Sequence, residues 1–383
     1  MQVTARVRVL WLIKGLGPGG AERLLVAAAA ARDRDRFEYR AAYLLPWKDH
    51  LVPELEALDV PVVCLGARDE RDVRWAGRLR ARLRAEPVDV VHSHSPYAAA
   101  LGRLVVRTLP RRSRPRIVST EHNAWNRFKA PTRIANALTS PLDDAVLAVS
   151  GEVRDSMRGP ARRRTEIVIH GIDTNAARGL RSQRDAVRRE LGIEPEEVLV
   201  GTIANYVPKK DYPNLLAAFR HVIDAGVPAR LLAVGQGPDE RAVHDLRAEL
   251  GLTDAVILPG YRSDAVRLLA GCDVFTLASR WEGIPVALME ALALGLPVVT
   301  TAVGGIPEAV TDGVEANLVP ARDPARLGAA LTAMARDERR RAEMGAAAVA
   351  RSAAFDIGRA VRRIEDTYHR VVGTRGMQSP APR

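Results

Sequence analysis

"DVFTLASRWEGIPVALMEALALGLPVVTTAVGG", residues Asp273 to Gly305, contains a complete strand–helix–strand unit. DVFTLASR is a short apolar strand and Trp281 to Ile284 a loop at its carboxyl end. Pro285 suits the first helical position, where its missing N–H would have no partner anyway. The helix then runs to Leu294, stopped by Gly295 and Pro297. PVVTTAVGG is the following strand. Strands that read as unbroken apolar runs with helices between them belong to a parallel sheet covered on both faces.

The same plan extends in both directions. EVLVGTIAN (Glu197 to Asn205) leads through a loop to the helix YPNLLAAFRHVIDAG, and ARLLAVGQG and AVILPGY are further strands. In the first half RVRVLWLI (Arg6 to Ile13) is a strand, Gly17 to Gly20 a loop and AERLLVAAAAAR a helix. YRAAYLL, VPVVCLG, VDVVHSHS, RIVSTEHN and DAVLAVS continue the strand series, with helical patterns at Pro53 to Leu58 and Arg71 to Ala85. The fold class is therefore α/β, with two doubly wound, Rossmann-like domains, and ligands are expected outside the carboxyl ends of the strands. A chain of 383 residues also exceeds what one core usually sustains. The expected divisions are 1–173, an N-terminal acceptor domain, and 174–354, a C-terminal donor domain. A helix over 355–372 is expected to pack back toward the first domain, with 373–383 as a frayed tail.

The formal charge is +11, from 57 Lys+Arg and 46 Asp+Glu, and it is uneven. Residues 1–175 hold 30 cations and 20 acids, against 27 and 26 in the remainder. Two readings of that surplus stand side by side. One is a surface that meets something anionic, such as lipid headgroups, with RWAGRLRARLR (Arg74 to Arg84) and RRSRPR (Arg111 to Arg116) as the basic segments. The other is the Arg-rich usage of a GC-rich genome. A nucleic-acid binder would interleave its cations with stacking aromatics, and 4% aromatic leaves few. No stretch has the length of a membrane span or the pattern of a secretory signal, so a cytoplasmic protein is expected, and seating on the inner face of the membrane belongs to the first of the two charge readings. Cys64 and Cys272 lie far apart in apolar runs and read as core residues, and no metal cluster is legible.

Glu282 falls in the loop after its strand, and Glu290 lies more than one turn into the following helix. The free amides of Val286 and Ala287, with the Gly283–Ile284 turn, form a helix start suited to a phosphate. At this point the chain resembles the retaining GT-B glycosyltransferases of family four. Glu282 and Glu290 match that family's E-x7-E signature, followed by EALALGLPVV and GGIPE in order. GGAER at Gly19, STEHN at Ser119, AVS at Ala148, HGID at His170, ANYVPKKDYPNLLAAF at Ala204 and VGQGP at Val234 extend the likeness over nearly the whole chain.

The resemblance implies transfer of a sugar from a nucleotide diphosphate donor to a glycan or lipid-linked acceptor hydroxyl, with the anomeric configuration kept and without a cofactor or divalent metal. It implies that Glu290 accepts hydrogen bonds from ribose hydroxyls and that Glu282 touches hydroxyls of the donor sugar. Lys210 would neutralise the diphosphate, Gly19 and Gly20 would let backbone approach it, and His122 would stand near the reacting sugar. The family's usual Arg partner of Lys210 is Asn205 here, which leaves Lys209 or an N-terminal Arg to supply the second charge. Other classes fit less well. A GT-B sugar epimerase would not be expected to carry this signature with GGIPE. The G-x-G-x-x-G spacing of an oxidoreductase is met only by Gly15, Gly17 and Gly20, and Glu22 and Arg23 after it suit the transferase better.

Overall fold

The chain builds two parallel sheets, one in each of two units. The computed structural model describes residues 6–373 apart from Pro18 and Glu70. The first unit comprises 1–171 and 357–383, the second 172–356. The expected tail falls, beyond Gly373, outside the described residues.

In unit 1 the strands are β1 (Val7–Ile13), β2 (Phe37–Tyr43), β3 (Val62–Cys64), β4 (Val90–Ser93), β5 (Arg116–Glu121), β6 (Ala145–Ala148) and β7 (Thr165–Ile167). They are ordered β3-β2-β1-β4-β5-β6-β7, all parallel. Successive residues of a strand face opposite sides, and β1 divides accordingly. Val7, Val9, Trp11 and Ile13 join the core beneath the helices Gly20–Ala31 and Ile357–Gly373. Leu10 and Leu12 join the opposite core with Trp75, Leu79 and Leu83 of the helix Trp75–Ala85. The apolar stripe of the arginine-rich helix is thus interior, which removes it as a membrane-facing surface.

The C-terminal helix belongs to unit 1. Its Ile357, Val361, Ile364, Tyr368 and Val371 are core residues there. The Tyr368 hydroxyl lies 2.6 Å from His92 Nδ1 on β4 and 3.4 Å from the Trp11 indole N–H, which donates to it.

In unit 2 the strands are β8 (Val198–Ile203), β9 (Ala229–Val234), β10 (Val256–Ile257), β11 (Val274–Leu277), β12 (Val298–Thr301) and β13 (Ala316–Val319). Their order is β10-β9-β8-β11-β12-β13, again parallel. In both sheets the winding reverses beside the first strand, between β1 and β4 and between β8 and β11, where a crevice opens at the carboxyl edge.

One core assignment is corrected. Cys272 is buried, but Cys64 is exposed, because it ends β3, the edge strand of its sheet.

A buried charge centre also lies in unit 1. Arg103, fully inside the helix Pro96–Arg107, donates to Asp143 (2.8 Å), Asn136 (2.8 Å), Thr139 (3.1 Å) and Ser119 (3.1 Å). Glu121 stands 4.0 Å away. Burial pushes the Glu121 carboxyl up to about 7 and that of Asp143 up to about 6, against the opposing pull of Arg103.

Candidate functional site

The switch point of the second sheet gathers most of the residues expected to bind a ligand. From the end of β8 the chain passes through Asn205, whose side chain is exposed, to a short turn carrying Lys209 and Lys210. From the end of β11 it passes through Ser279 to Glu282. The two segments are tied together where the Arg280 amide donates to the Lys209 carbonyl (2.8 Å) and the Arg280 guanidinium to Asp211 (2.8 Å).

Glu282 is only 8% exposed and is the focus of the site. Lys210 Nζ donates to its Oε1 at 2.5 Å, Ser279 Oγ to the same oxygen at 2.8 Å, and Lys209 Nζ to Oε2 at 3.5 Å. Burial by itself would push the carboxyl up. The two lysines and the Ser279 hydroxyl outweigh it and hold the group below the ordinary carboxylate range. Near neutrality Glu282 is therefore an ionised acceptor, able to receive hydrogen bonds from hydroxyl groups and unsuited to donate a proton. The lysine expected to meet a diphosphate is engaged with the acid expected to meet the sugar, and Lys209 stands beside it as a second cation.

The helix Val286–Ala293 starts directly after this loop, with Pro285 at its N-cap and no side chain capping it. Gly283 and Ile284 form the turn between Glu282 and that helix, Val286 and Ala287 its first residues. Glu290, partly exposed, sits in its second turn. The glycine pair after β12 closes against the same loop. The Gly305 amide donates to the Gly283 carbonyl at 3.0 Å, and Gly304 has φ +62. A Cβ at Gly304 would stand 1.9 Å from the Glu282 carbonyl oxygen, far inside contact distance. Gly304→Ala is therefore expected to lower stability by about 2 kcal/mol, from the left-handed backbone and the displaced loop. Thermal unfolding of the variant checks this, and a wild-type Tm would contradict the close approach.

In unit 1 the glycine loop and His122 occupy the carboxyl edge of the first sheet. Gly19 is the extended N-cap of the helix that Gly20 begins, and its amide donates to the Gly17 carbonyl. What a Cβ at Gly19 would meet is the Glu22 carboxylate, at 2.2 Å, the movable end of a side chain rather than backbone. His122 follows β5 and is one of four imidazoles. Its ring stacks on His170 at 5.1 Å and 23° and lies 5.8 Å from His94, which is 4.0 Å from His92. Burial is the leading cause that pushes all four down, with neighbouring imidazoles adding for His92, His94 and His122: His92 to about 3, His170 to about 4, His94 and His122 well below the usual range. All four rings are neutral at pH 7. Both ring nitrogens of His94 and of His170, and Nε2 of His122, are buried without a hydrogen-bond partner among the described residues.

Sequence reasoning did not single out Ser279, Gly304, His94 or His170 as site residues. A small polar residue ending a strand three positions before an acid is the signal that points to Ser279. HSHS and HGID are the signals for the two histidines. Among the described residues no group of three or more His, Cys, Asp or Glu is arranged to hold a metal ion.

Comparison with known proteins agrees with this architecture. The family described as Glycosyltransferase Family 4 matches residues 18–176, and Glycosyl transferases group 1 matches residues 183–351. A D-inositol 3-phosphate glycosyltransferase of Mycobacterium sp. (strain KMS) is 32% identical over 270 residues, covering 65% of this chain and 60% of its own. A UDP-Gal:alpha-D-GlcNAc-diphosphoundecaprenol alpha-1,3-galactosyltransferase of Escherichia coli is 23% identical, covering 68% and 70%. The crystal structure of Anabaena HepE with UDP and glucose superposes with a TM-score of 0.82 at 23% identity, covering 94% of this chain and 99% of that one. That likeness establishes the fold, GT-B.

Proposed function

This chain belongs to the glycosyl transferases group 1 with the GT-B fold, and on that premise we propose that it is a retaining enzyme moving a hexose-type sugar from a nucleoside diphosphate sugar to an acceptor hydroxyl. The bond from the anomeric carbon to the diphosphate breaks, the acceptor oxygen bonds to that carbon, and the hydroxyl proton leaves with the diphosphate. A glycan or lipid-linked carrier is the proposed acceptor, in keeping with the relative that acts on a diphosphoundecaprenol-linked sugar. A UDP sugar is the first donor to test, because a structural neighbour was crystallised with UDP and glucose.

The observation that carries this reading is the ionised Glu282 held by Lys210, Lys209 and Ser279 beside the start of the helix Val286–Ala293. An arriving diphosphate competes with Glu282 for the lysines, while sugar hydroxyls replace the lysine protons on the carboxylate. Charge growing on the leaving diphosphate is met by two ammonium groups and the amides of a helix start. Those fixed charges do the work a divalent cation would otherwise do, so turnover is proposed to persist in chelator. Lys209 supplies the charge that Asn205 does not. His122, neutral, offers the sugar a hydrogen bond without adding charge.

Release of nucleoside diphosphate from UDP, GDP and ADP sugars tests the reading, with stabilisation of the fold by the same compounds as a binding measure. No release and no stabilisation by any of them would overturn it. In Glu290→Ala, loss of a charged hydrogen-bond acceptor for the ribose is expected to weaken donor binding by about tenfold or more. An unchanged donor Kd would remove Glu290 from that role.

A further inference from the structure

Asp211 is placed against its local preferences. It is the N-cap of the helix Tyr212–Asp224, where an aspartate ordinarily turns its carboxylate onto the free amides of the first turn. Here the side chain caps none of them. The backbone lies in the left-handed region, at φ +50 and ψ +52, which glycine adopts freely and a residue with a Cβ does not. Among the described residues Asp59, Asp211 and Arg322 are the non-glycine residues with positive φ. Asp59 and Arg322 are exposed, whereas Asp211 is only 3% exposed.

The carboxylate reaches instead to the neighbouring strand end. The Arg280 guanidinium donates to it at 2.8 Å, and the Arg280 amide donates to the Lys209 carbonyl at the same distance. One residue of the loop after β11 therefore holds the loop after β8 on both sides of Lys210. Glu282, which accepts from Lys210 at 2.5 Å, lies two residues beyond Arg280. A lysine ammonium rides on a flexible stem, so its position is only as well defined as the backbone that carries it. A residue that gives up a cap and a relaxed backbone for one long-range contact is set by the needs of a site, not by those of its turn.

We propose that Asp211 and Arg280 are positioning residues, which fix the turn carrying Lys210 so that its ammonium stands at the Glu282 carboxylate and at the leaving diphosphate. The catalytic consequence rests on the sugar-transfer reading. The placement of Lys210 rests on the geometry alone.

Asp211→Gly keeps the left-handed backbone and removes the carboxylate. If the residue served only the turn, glycine would serve it better, and turnover would equal or exceed that of wild type. The variant is instead expected to keep a Tm near that of wild type, because relief of the strained backbone offsets the lost pair. Its kcat for release of UDP from UDP-glucose, or from whichever UDP, GDP or ADP sugar wild type turns over, is expected to fall by about tenfold or more. Donor KM should change by less than about threefold, since a displaced ammonium is felt most where charge develops. Asp211→Asn tolerates the same backbone and keeps an oxygen for Arg280, and should recover most of the loss. Arg280→Gln strands a buried carboxylate and should lower Tm. Adding Asp211→Gly to it should restore Tm without restoring kcat. A readout free of turnover is the coupling between Lys210→Met and Glu282→Gln in urea unfolding, which is expected to fall by about half or more in an Asp211→Gly background. Wild type that releases no nucleoside diphosphate would sink the transfer reading and leave this coupling to decide the placement. A coupling unchanged by Asp211→Gly, or a wild-type kcat in that variant, would overturn the proposal.

Discussion

Lys210→Ala is expected to lower kcat/KM by about two to three orders of magnitude, the scale at which losing one preorganised charge contact to a developing anion is felt. The variant has a second expected signature, because Lys210 is the closest cation to a buried carboxylate. Without it the burial of Glu282 is opposed only by Lys209 at 3.5 Å and by Ser279, and its pKa rises. The acid limb of the pH–rate profile should move to higher pH in Lys210→Ala and not in Lys210→Arg. A double-mutant cycle with Glu282→Ala should be non-additive, since the two side chains share one interaction. Turnover near wild type in Lys210→Ala would remove the electrostatic account of leaving-group departure.

Acidification is expected to destabilise unit 1 through its histidines, and the sign can be worked out group by group. A neutral buried imidazole with a depressed folded pKa binds fewer protons in the native than in the unfolded state. Its stabilisation is complete above about pH 6.5 and is lost as pH falls below that value. From about pH 7.5 to 5.5 each of His92, His94, His122 and His170 loses about 1.4 kcal/mol, roughly 5.5 kcal/mol for the four. Glu121 and Asp143 act in the opposite direction. Their folded pKa values of about 7 and about 6 lie above the unfolded ones, so ionising them costs stability as pH rises, and acidification returns roughly 3 kcal/mol together. The net expectation for wild type is a loss of roughly 3 kcal/mol.

Glu121→Gln separates the two effects. It should be about 3 kcal/mol more stable than wild type at about pH 7.5 and should lose roughly 5 kcal/mol over the same interval. Urea unfolding followed by tryptophan emission in a Trp281→Phe background reads unit 1, where Trp11, Trp75 and Trp125 are buried. Equal acid sensitivity in the two proteins would contradict the raised pKa of Glu121.

The strand–helix–strand run from Asp273 to Gly305 was legible because its strands are continuous apolar runs and its helix has both ends marked, by Pro285 and by Gly295 with φ +72. The strands Thr165–Ile167 and Ala316–Val319 were not. Each is an edge strand of three or four residues, partly exposed, with no apolar run long enough to stand out. The position of Glu282 in the loop was readable from local spacing, and its pairing with Lys210 depended on two strand ends meeting at a switch point. The imidazole cluster required more still, since its members lie on or just after β4, β5 and β7 and only the sheet order brings them together. Periodicity in the helix Ala130–Thr139 marks an apolar stripe but not which side it faces. That was decided by Arg103, a buried guanidinium that demands Asn136 and Thr139.

Unit 1 is made from two lengths of chain, and its last helix emerges only after all of unit 2 has been synthesised. While the ribosome is still translating residues 172–356, Trp11 and Tyr39 lack the cover that Ile364 and Tyr368 will provide, and His92 lacks the Tyr368 hydroxyl. The contiguous second unit can close first, and the first half of the polypeptide waits, incomplete, for its final turns. Synthesis of the helix Ile357–Gly373, rather than emergence of the amino-terminal strands, is the event that completes the older half of the molecule.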